Sequence, residues 1–315
     1  MPESAAAASA VMMVRPAAFG FNAETAGSNR FQHAASDAPA AVAARARSEF
    51  DAMVAALRGA GVRVLVAEDT PAPVKPDAIF PNNWVSFHAD GSVVLYPMQA
   101  PNRRPERRRE LLDQVCVQLG FGMRRLIDLT HHEAQGRFLE GTGSLVLDHR
   151  ARVAYACRSP RTDALVLREW SEALGYRTLL FDALDAGGTP YYHTNVMLAI
   201  GARAAVVALS GIDTGMRGQV REQLQAGGRE LIEIDAAQVD RFAGNLLELQ
   251  TRDATGRVGT LWALSAIARD ALRPSQRERL GSAADALLAL SVPTIETIGG
   301  GSVRCMLAEV PDTHR

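Results

Sequence analysis

The sequence predicts an α/β fold of five strand–strand–helix–strand units packed around a common axis, a ring with pseudo-fivefold symmetry. Three observations carry this reading. Short β-branched segments recur at VRVLVAED (62–69), MRRLIDLT (123–130), YRTLLFDAL (176–184), ELIEIDAA (230–237) and VPTIETIG (292–299), with starts 53–62 residues apart. Each follows an amphipathic helix, and several of those helices end in Gly, the residue that most readily adopts the left-handed cap. Before most helices stand two apolar runs joined by a polar or Gly-containing turn, which reads as a hairpin.

In chain order the helices are SEFDAMVAALRGAG, PERRRELLDQVCVQLG, ALVLREWSEALG, GQVREQLQAGG and SAADALLAL. The hairpins are WVSFHADGSVVLYPM, SLVLDHRARVAYACR, NVMLAIGARAAVVAL and NLLELQTRDATGRVGTLWAL. The first unit takes VMMVRP near the N-terminus, and CMLAEV (305–310) is left over to close the ring with it. Units of this size cannot bury their apolar faces alone, so they pack on one another. A single open dinucleotide-binding sheet would need one strand per helix and a Gly-rich turn after the first strand. Neither is present. We expect one domain over 11–315, preceded by a disordered Ala-rich stretch over 1–10.

Composition narrows the function. With 34 basic and 35 acidic residues the net charge is −1, which gives nucleic acid or a membrane surface no electrostatic reason to bind. The charged run RRPERRRE (103–110) mixes acids and a Pro into its arginines and reads as a solvated helix start. No apolar run approaches the ~20 residues of a membrane span, and MPESAAAASA lacks the basic start of a secretory signal, so a cytoplasmic protein is expected. Cys116, Cys157 and Cys305 are too scattered for a disulfide framework. Lys75 is the only lysine, so Schiff-base chemistry would rest on it alone.

Polar residues collect after the helix-following strands, in PDAIFPNNW, FLEGTGS, YYHTN, FAGNLLEL and GGGSVRCM. Asn83, Glu140, His193, Asn245 and Cys305 occupy equivalent places, 52–60 residues apart. A ring would bring all five to its axis, assembling a thiol, an imidazole and a carboxylate, the groups of a nucleophile–base–orienter site. The glycines before Cys305 mark a backbone that bends sharply or approaches a ligand, whereas Cys116 and Cys157 read as inert apolar positions. Arg158 and Arg161 offer forked guanidinium groups suited to a carboxylate. His131, His132 and Glu133, even with His193, lack the helical ligand spacing of a metal site. No metal and no organic cofactor is expected.

In order, MVRP, PDAIFPNNWVSFH, LEGTGSLVLD, CRSPRTD, YHTNVMLAIG and GGGSVRCMLAEV resemble the guanidino-group-modifying (pentein) superfamily of arginine deiminases, dimethylargininases and amidinotransferases. FGFNAETAGSNRFQ (19–32) is similar to its arginine-deiminase-related, citrulline-utilisation hydrolases. The resemblance spans nearly the whole chain and implies a five-bladed α/β propeller. It implies Cys305 as nucleophile, His193 as general acid/base and Glu140 as the accompanying acid. It also implies that Arg161 holds a substrate carboxylate and that Asp77 belongs to the substrate motif. Two departures stand out. Asn83 replaces an Asp that grips the guanidinium in arginine-cleaving members, and Asn195 replaces another Asp of the deiminases. Amides remove the charge that a buried guanidinium needs but still pair with a neutral ureido group.

The expected activity is therefore hydrolysis of a guanidino or ureido C–N bond of an arginine-like amino acid, with citrulline favoured over arginine. Cys305 forms the covalent adduct, and a cationic His193 beside it would raise the thiolate fraction. Asn83, Asn195, Asn245, Asp77 and Arg161 are the expected substrate contacts. Two alternatives remain: amidino transfer at the same three residues, and a propeller that only binds an amino acid. The sequence gives no account of oligomeric state.

Overall fold

The computed structural model describes residues 7–313. Strand β1 (Ala10–Arg15) leads through the short helix α1 (Ala23–Ala26) into α2 (Pro39–Gly59) and β2 (Arg63–Glu68). The hairpin β3 (Val85–Phe87) and β4 (Ser92–Leu95) is followed by α3 (Arg109–Leu119) and β5 (Arg125–Asp128). Next come α4 (Gly141–Ser144), β6 (Leu145–Asp148), β7 (Val153–Cys157), α5 (Ala164–Leu174) and β8 (Arg177–Phe181). The fourth unit is β9 (Leu198–Ile200), β10 (Ala204–Val207), α6 (Thr214–Gln225) and β11 (Glu230–Glu233). The fifth follows α7 (Ala236–Val239) and comprises β12 (Leu247–Arg252), β13 (Val258–Ser265), α8 (Ala266–Ala271), α9 (Pro274–Ser282) and β14 (Ala286–Leu290), before β15 (Ala308–Val310).

These strands form five separate three-stranded sheets of one pattern. In each, the middle strand pairs antiparallel on one side and parallel on the other, across a helical crossover. The first sheet joins the two ends of the chain: Ala10 lies opposite Val310 and Met12 opposite Ala308, as the leftover CMLAEV strand requires. Amphipathic helices cover the sheets. On α5, Val166, Leu167, Trp170 and Leu174 are buried on one face, Asp163 caps the N-terminus through the N–H groups of Leu165 and Val166, and Gly175 closes the C-terminus in the left-handed region.

Three expectations need correction. SAADALLAL is not a helix: α8 and α9 already supply the crossover, and Ala286–Leu290 pairs in parallel with β13, so tertiary pairing overrides the helix preference of Ala and Leu. VPTIETIG is accordingly not a strand, and Ile295–Gly299 forms a wide helical turn ahead of the triple glycine. The expected disorder over 1–10 lies outside the described residues only as far as residue 6. Ala8 bridges Leu249 and Ala10 opens β1, both buried.

Lys75 is fully buried, its ammonium held by Asp69 Oδ1 at 3.1 Å, the Thr70 carbonyl and hydroxyl at 2.9 Å and the Pro73 carbonyl at 2.8 Å. Every donor of the ammonium is engaged, so it serves the fold and not Schiff-base chemistry. Among the described residues no helix is long and apolar enough to cross a membrane.

Candidate active site

One short segment precedes the outer strand of each sheet. These are Pro81–Asn83 before β3, α4 before β6, Thr194–Val196 before β9, the turn at 242–246 before β12, and Val303–Met306 before β15. Helix α4 packs against the Pro81–Asn83 and Thr194–Val196 turns, and Pro81–Asn83 packs against Val303–Met306. The equivalent residues Asn83, Glu140, His193, Asn245 and Cys305 sit on or beside these turns, and all are buried. Repetition thus delivers five polar side chains to one place.

A polar cleft of about 260 Å³ opens there. Cys305 and His193 lie in its wall with Asp77, Asn83, Arg103 and Arg161, while Phe80, Tyr192 and the three glycines 299–301 supply the flatter surfaces. Gly300 has φ +62°, the left-handed conformation that brings its carbonyl to the Tyr192 hydroxyl at 2.7 Å. The tight turn over Ser302–Cys305, closed by a backbone bond of 3.0 Å, then presents the thiol.

Glu140 is wholly buried, and every partner of its carboxylate is a donor. Oε1 accepts from the Gln99 N–H at 3.0 Å, and Oε2 lies 2.9 Å from His193 Nε2 and 3.3 Å from Arg161 Nη1. Burial raises its pKa, but Arg161, the His193 hydrogen bond and Arg103 prevail and hold it below the usual carboxylate range. As an ionised acceptor it fixes the proton of His193 on Nε2, leaving the Nδ1 lone pair for proton transfer. Burial pushes His193 down to about 4; Glu140 opposes this, and Arg161 and Arg103 add to it. The resting imidazole is therefore neutral and does not supply the positive charge that would raise the thiolate fraction of Cys305.

The hydrogen-bonding neighbours of the Cys305 sulfur are amides. Asn245 Nδ2 lies 3.4 Å and Asn195 Nδ2 3.7 Å from Sγ. Asn245 also donates to the Asn195 carbonyl and accepts the Arg304 N–H, so one side chain ties the Cys305 turn to the His193 turn. Both asparagines thus stand against the sulfur and do not line the cleft, where Asn83 does. Their N–H groups are placed to stabilise the thiolate form of Cys305.

Two further buried groups face the cleft with unspent hydrogen-bonding capacity. Asp77 Oδ2 accepts from Asn22 at 2.8 Å, but its Oδ1 has no partner among the described residues; burial raises this carboxyl, with Arg103 the main opposing charge. Asn83 Oδ1 accepts from Arg103 Nη1 at 3.0 Å, which leaves its Nδ2 unpartnered. Arg161 is placed in the wall, but its guanidinium already serves Glu140, Ser28 Oγ and the Thr25 carbonyl, and lies 5.0 Å from the Tyr192 ring. Arg158 is half-exposed beside Asp182 and does not reach the cleft.

Sequence reasoning missed Arg103 and Glu106. The run that reads as solvated in fact buries a two-pronged pair between them, both prongs at 2.9 Å, with Arg103 also 3.6 Å from Asp77. Nothing in a dense arginine run distinguishes the one turned inward. Thr25, Ser28 and Asn29 were visible only as part of the FGFNAETAGSNRFQ resemblance. Cys157 is buried and inert, its thiol pushed up by burial to about 11.

Fold and site together define a hydrolase acting on guanidino C–N bonds, and comparison with known proteins bears this out. The chain belongs to the family described as N,N dimethylarginine dimethylhydrolase, eukaryotic, whose model matches residues 15–311. No protein of the curated collection matches it. Its fold is shared with the N-terminal domain of ArgZ, an arginine dihydrolase from the ornithine–ammonia cycle in cyanobacteria solved with its substrate: 14% identity, 96% of this chain, 98% of that one, TM-score 0.72. It is also shared with AgrE bound to L-arginine, at 15% identity over 97% of this chain and 40% of that one, TM-score 0.72. A dimethylarginine dimethylaminohydrolase adduct with S-methyl-L-thiocitrulline aligns over 96% of this chain and 99% of that one, at 17% identity and TM-score 0.62.

Proposed function

We propose that the protein hydrolyses a C–N bond at the guanidino or ureido carbon of a free arginine-like amino acid through a Cys305 adduct, with citrulline favoured over arginine. The observation that carries the preference is Asn83. With its carbonyl tied to Arg103, its unpartnered Nδ2 is the group left to bond a substrate, and an N–H donor suits a ureido oxygen and not a guanidinium N–H. In this reading the five like sheets are the blades of a pseudo-fivefold propeller with the cleft on its axis. ArgZ with its substrate and AgrE with arginine are precedents for such a ligand in such a fold.

In this reaction neutral His193 takes the Cys305 proton on Nδ1 as sulfur attacks the central carbon. The C–N bond then breaks, and the imidazolium returns the proton to the departing nitrogen. From citrulline, ornithine leaves a carbamoyl group on sulfur; from arginine, ammonia leaves an amidino group. His193 next deprotonates water, which releases that group and restores the thiol. Arg161 is the cation for the substrate carboxylate, Asp77 Oδ1 receives a substrate N–H, and Phe80 packs on the methylene chain.

Mass spectrometry of products from citrulline, arginine and dimethylarginine, each alone, tests this. Ornithine from citrulline is the expected result, and Asn83→Asp should shift turnover toward arginine. Turnover of dimethylarginine with none of citrulline would overturn the ureido preference and leave the second reading, that of the family description.

A cleaner geometric test is Gly143→Ala. A Cβ there would lie 2.5 Å from Asn83 Nδ2 and 2.7 Å from His193 Nδ1 and Cε1. Displacing both groups should lower kcat about 10²-fold, with circular dichroism unchanged. Wild-type kcat in this variant would exclude the assigned roles.

A further inference from the structure

The histidine pair in the turn after β5 finds a partner that its local sequence does not offer. Glu133 is consumed by Arg107 at 2.6 Å, Arg104 at 3.3 Å and the Met98 N–H at 2.8 Å, and His193 belongs to the cleft. Across from the pair stands Glu169 of α5. His132 Nε2 lies 2.7 Å and His131 Nε2 3.8 Å from Glu169 Oε2, and the three ligand atoms all fall within 4.8 Å of one another.

We propose that His131, His132 and Glu169 form a zinc site separate from the cleft. Ligand atoms about 2.0–2.1 Å from a tetrahedral zinc are separated by about 3.3 Å, and the observed 2.7 and 3.8 Å bracket that spacing. The adjustment falls on exposed groups, because the His131 and Glu169 side chains are 54% and 45% exposed while His132 is held at 8%. His131 Nδ1 lies 3.3 Å from the Asp128 carbonyl, the backbone contact that leaves Nε2 free to ligate. Ligation through His132 Nε2 exchanges its 2.7 Å contact with Glu169 for a shared metal and places the ring proton on Nδ1, which has no partner among the described residues. Two imidazoles and one carboxylate select zinc over magnesium or calcium, and water completes the coordination.

Such a site clips the Thr130–Gln135 turn to α5, just ahead of the segment that delivers Glu140. Its test is a zinc titration of the full chain by calorimetry in a Cys305→Ser background, which removes the competing thiol. The expected result is one zinc per chain, bound more tightly than about 10 μM. His131→Ala and Glu169→Gln should each weaken it at least tenfold, and zinc should raise Tm in the background but not with Glu169→Gln. His131 and Glu169 are both exposed, so these substitutions leave the core intact. Absent binding, or weakening below tenfold by either substitution, overturns the site.

Discussion

Replacing Cys305 by alanine should reduce turnover by about 10⁴-fold or more and leave the fold in place. The sulfur is the only atom in the cleft wall suited to form the covalent adduct, since Cys157 is committed to the Thr194 and Tyr191 contacts behind β7. Its own bonds are weak, at 3.4 and 3.7 Å from amide nitrogens, so its loss costs about 1 kcal/mol. Steady-state kinetics beside thermal unfolding separates the two effects. Activity comparable to wild type would rule out the covalent mechanism.

The second large effect is expected from Glu140→Gln, which is nearly isosteric. Gln99 N–H, His193 Nε2 and Arg161 Nη1 all donate to the carboxylate. A glutamine must aim its own N–H at one of them, while Arg161 and the nearby Arg103 lose a buried counter-charge. Breaking such an arrangement costs about 3–5 kcal/mol. Without the carboxylate, burial and the two arginines depress His193 further, and kcat should fall about 10²–10⁴-fold.

Acid titration of stability carries the same information. Glu140 ionises in the fold below its unfolded pKa, so its contribution is present above that value and lost as pH falls through the lower, folded one. His193 is charged near 6.5 when unfolded but only near 4 when folded. The unfolded chain therefore binds more protons between those values, and stability drops with pH across them. Glu140→Gln should flatten the more acidic part of this profile. An unchanged acid profile together with wild-type kcat would show that Glu140 neither charges nor orients the site.

The repeat was legible because a hairpin followed by a helix recurs in the same order in the second, third and fourth units. It failed in the fifth, where Ala-Leu sequence favours a helix locally and only pairing with β13 makes it a strand. Cys305, His193 and Glu140 could be picked out because each stands at the same point of its unit, next to glycines or aromatic residues. Arg103 could not, since burial of an arginine depends on the more distant Asn83 and Asp77 that surround it as well as on Glu106 three residues on.

The sequence by itself determined the five-unit plan and the meeting of β1 and β15 in one sheet, because both follow from period and order along the chain. Only the tertiary structure decided the working state of the site. That His193 rests neutral, that Asn195 and Asn245 back the sulfur, that Asn83 spends its carbonyl on Arg103, and that Glu169 lies beside the histidine pair all depend on distances between residues far apart in the chain. Hydrogen bonding and burial act through space, so no spacing along the chain encodes them.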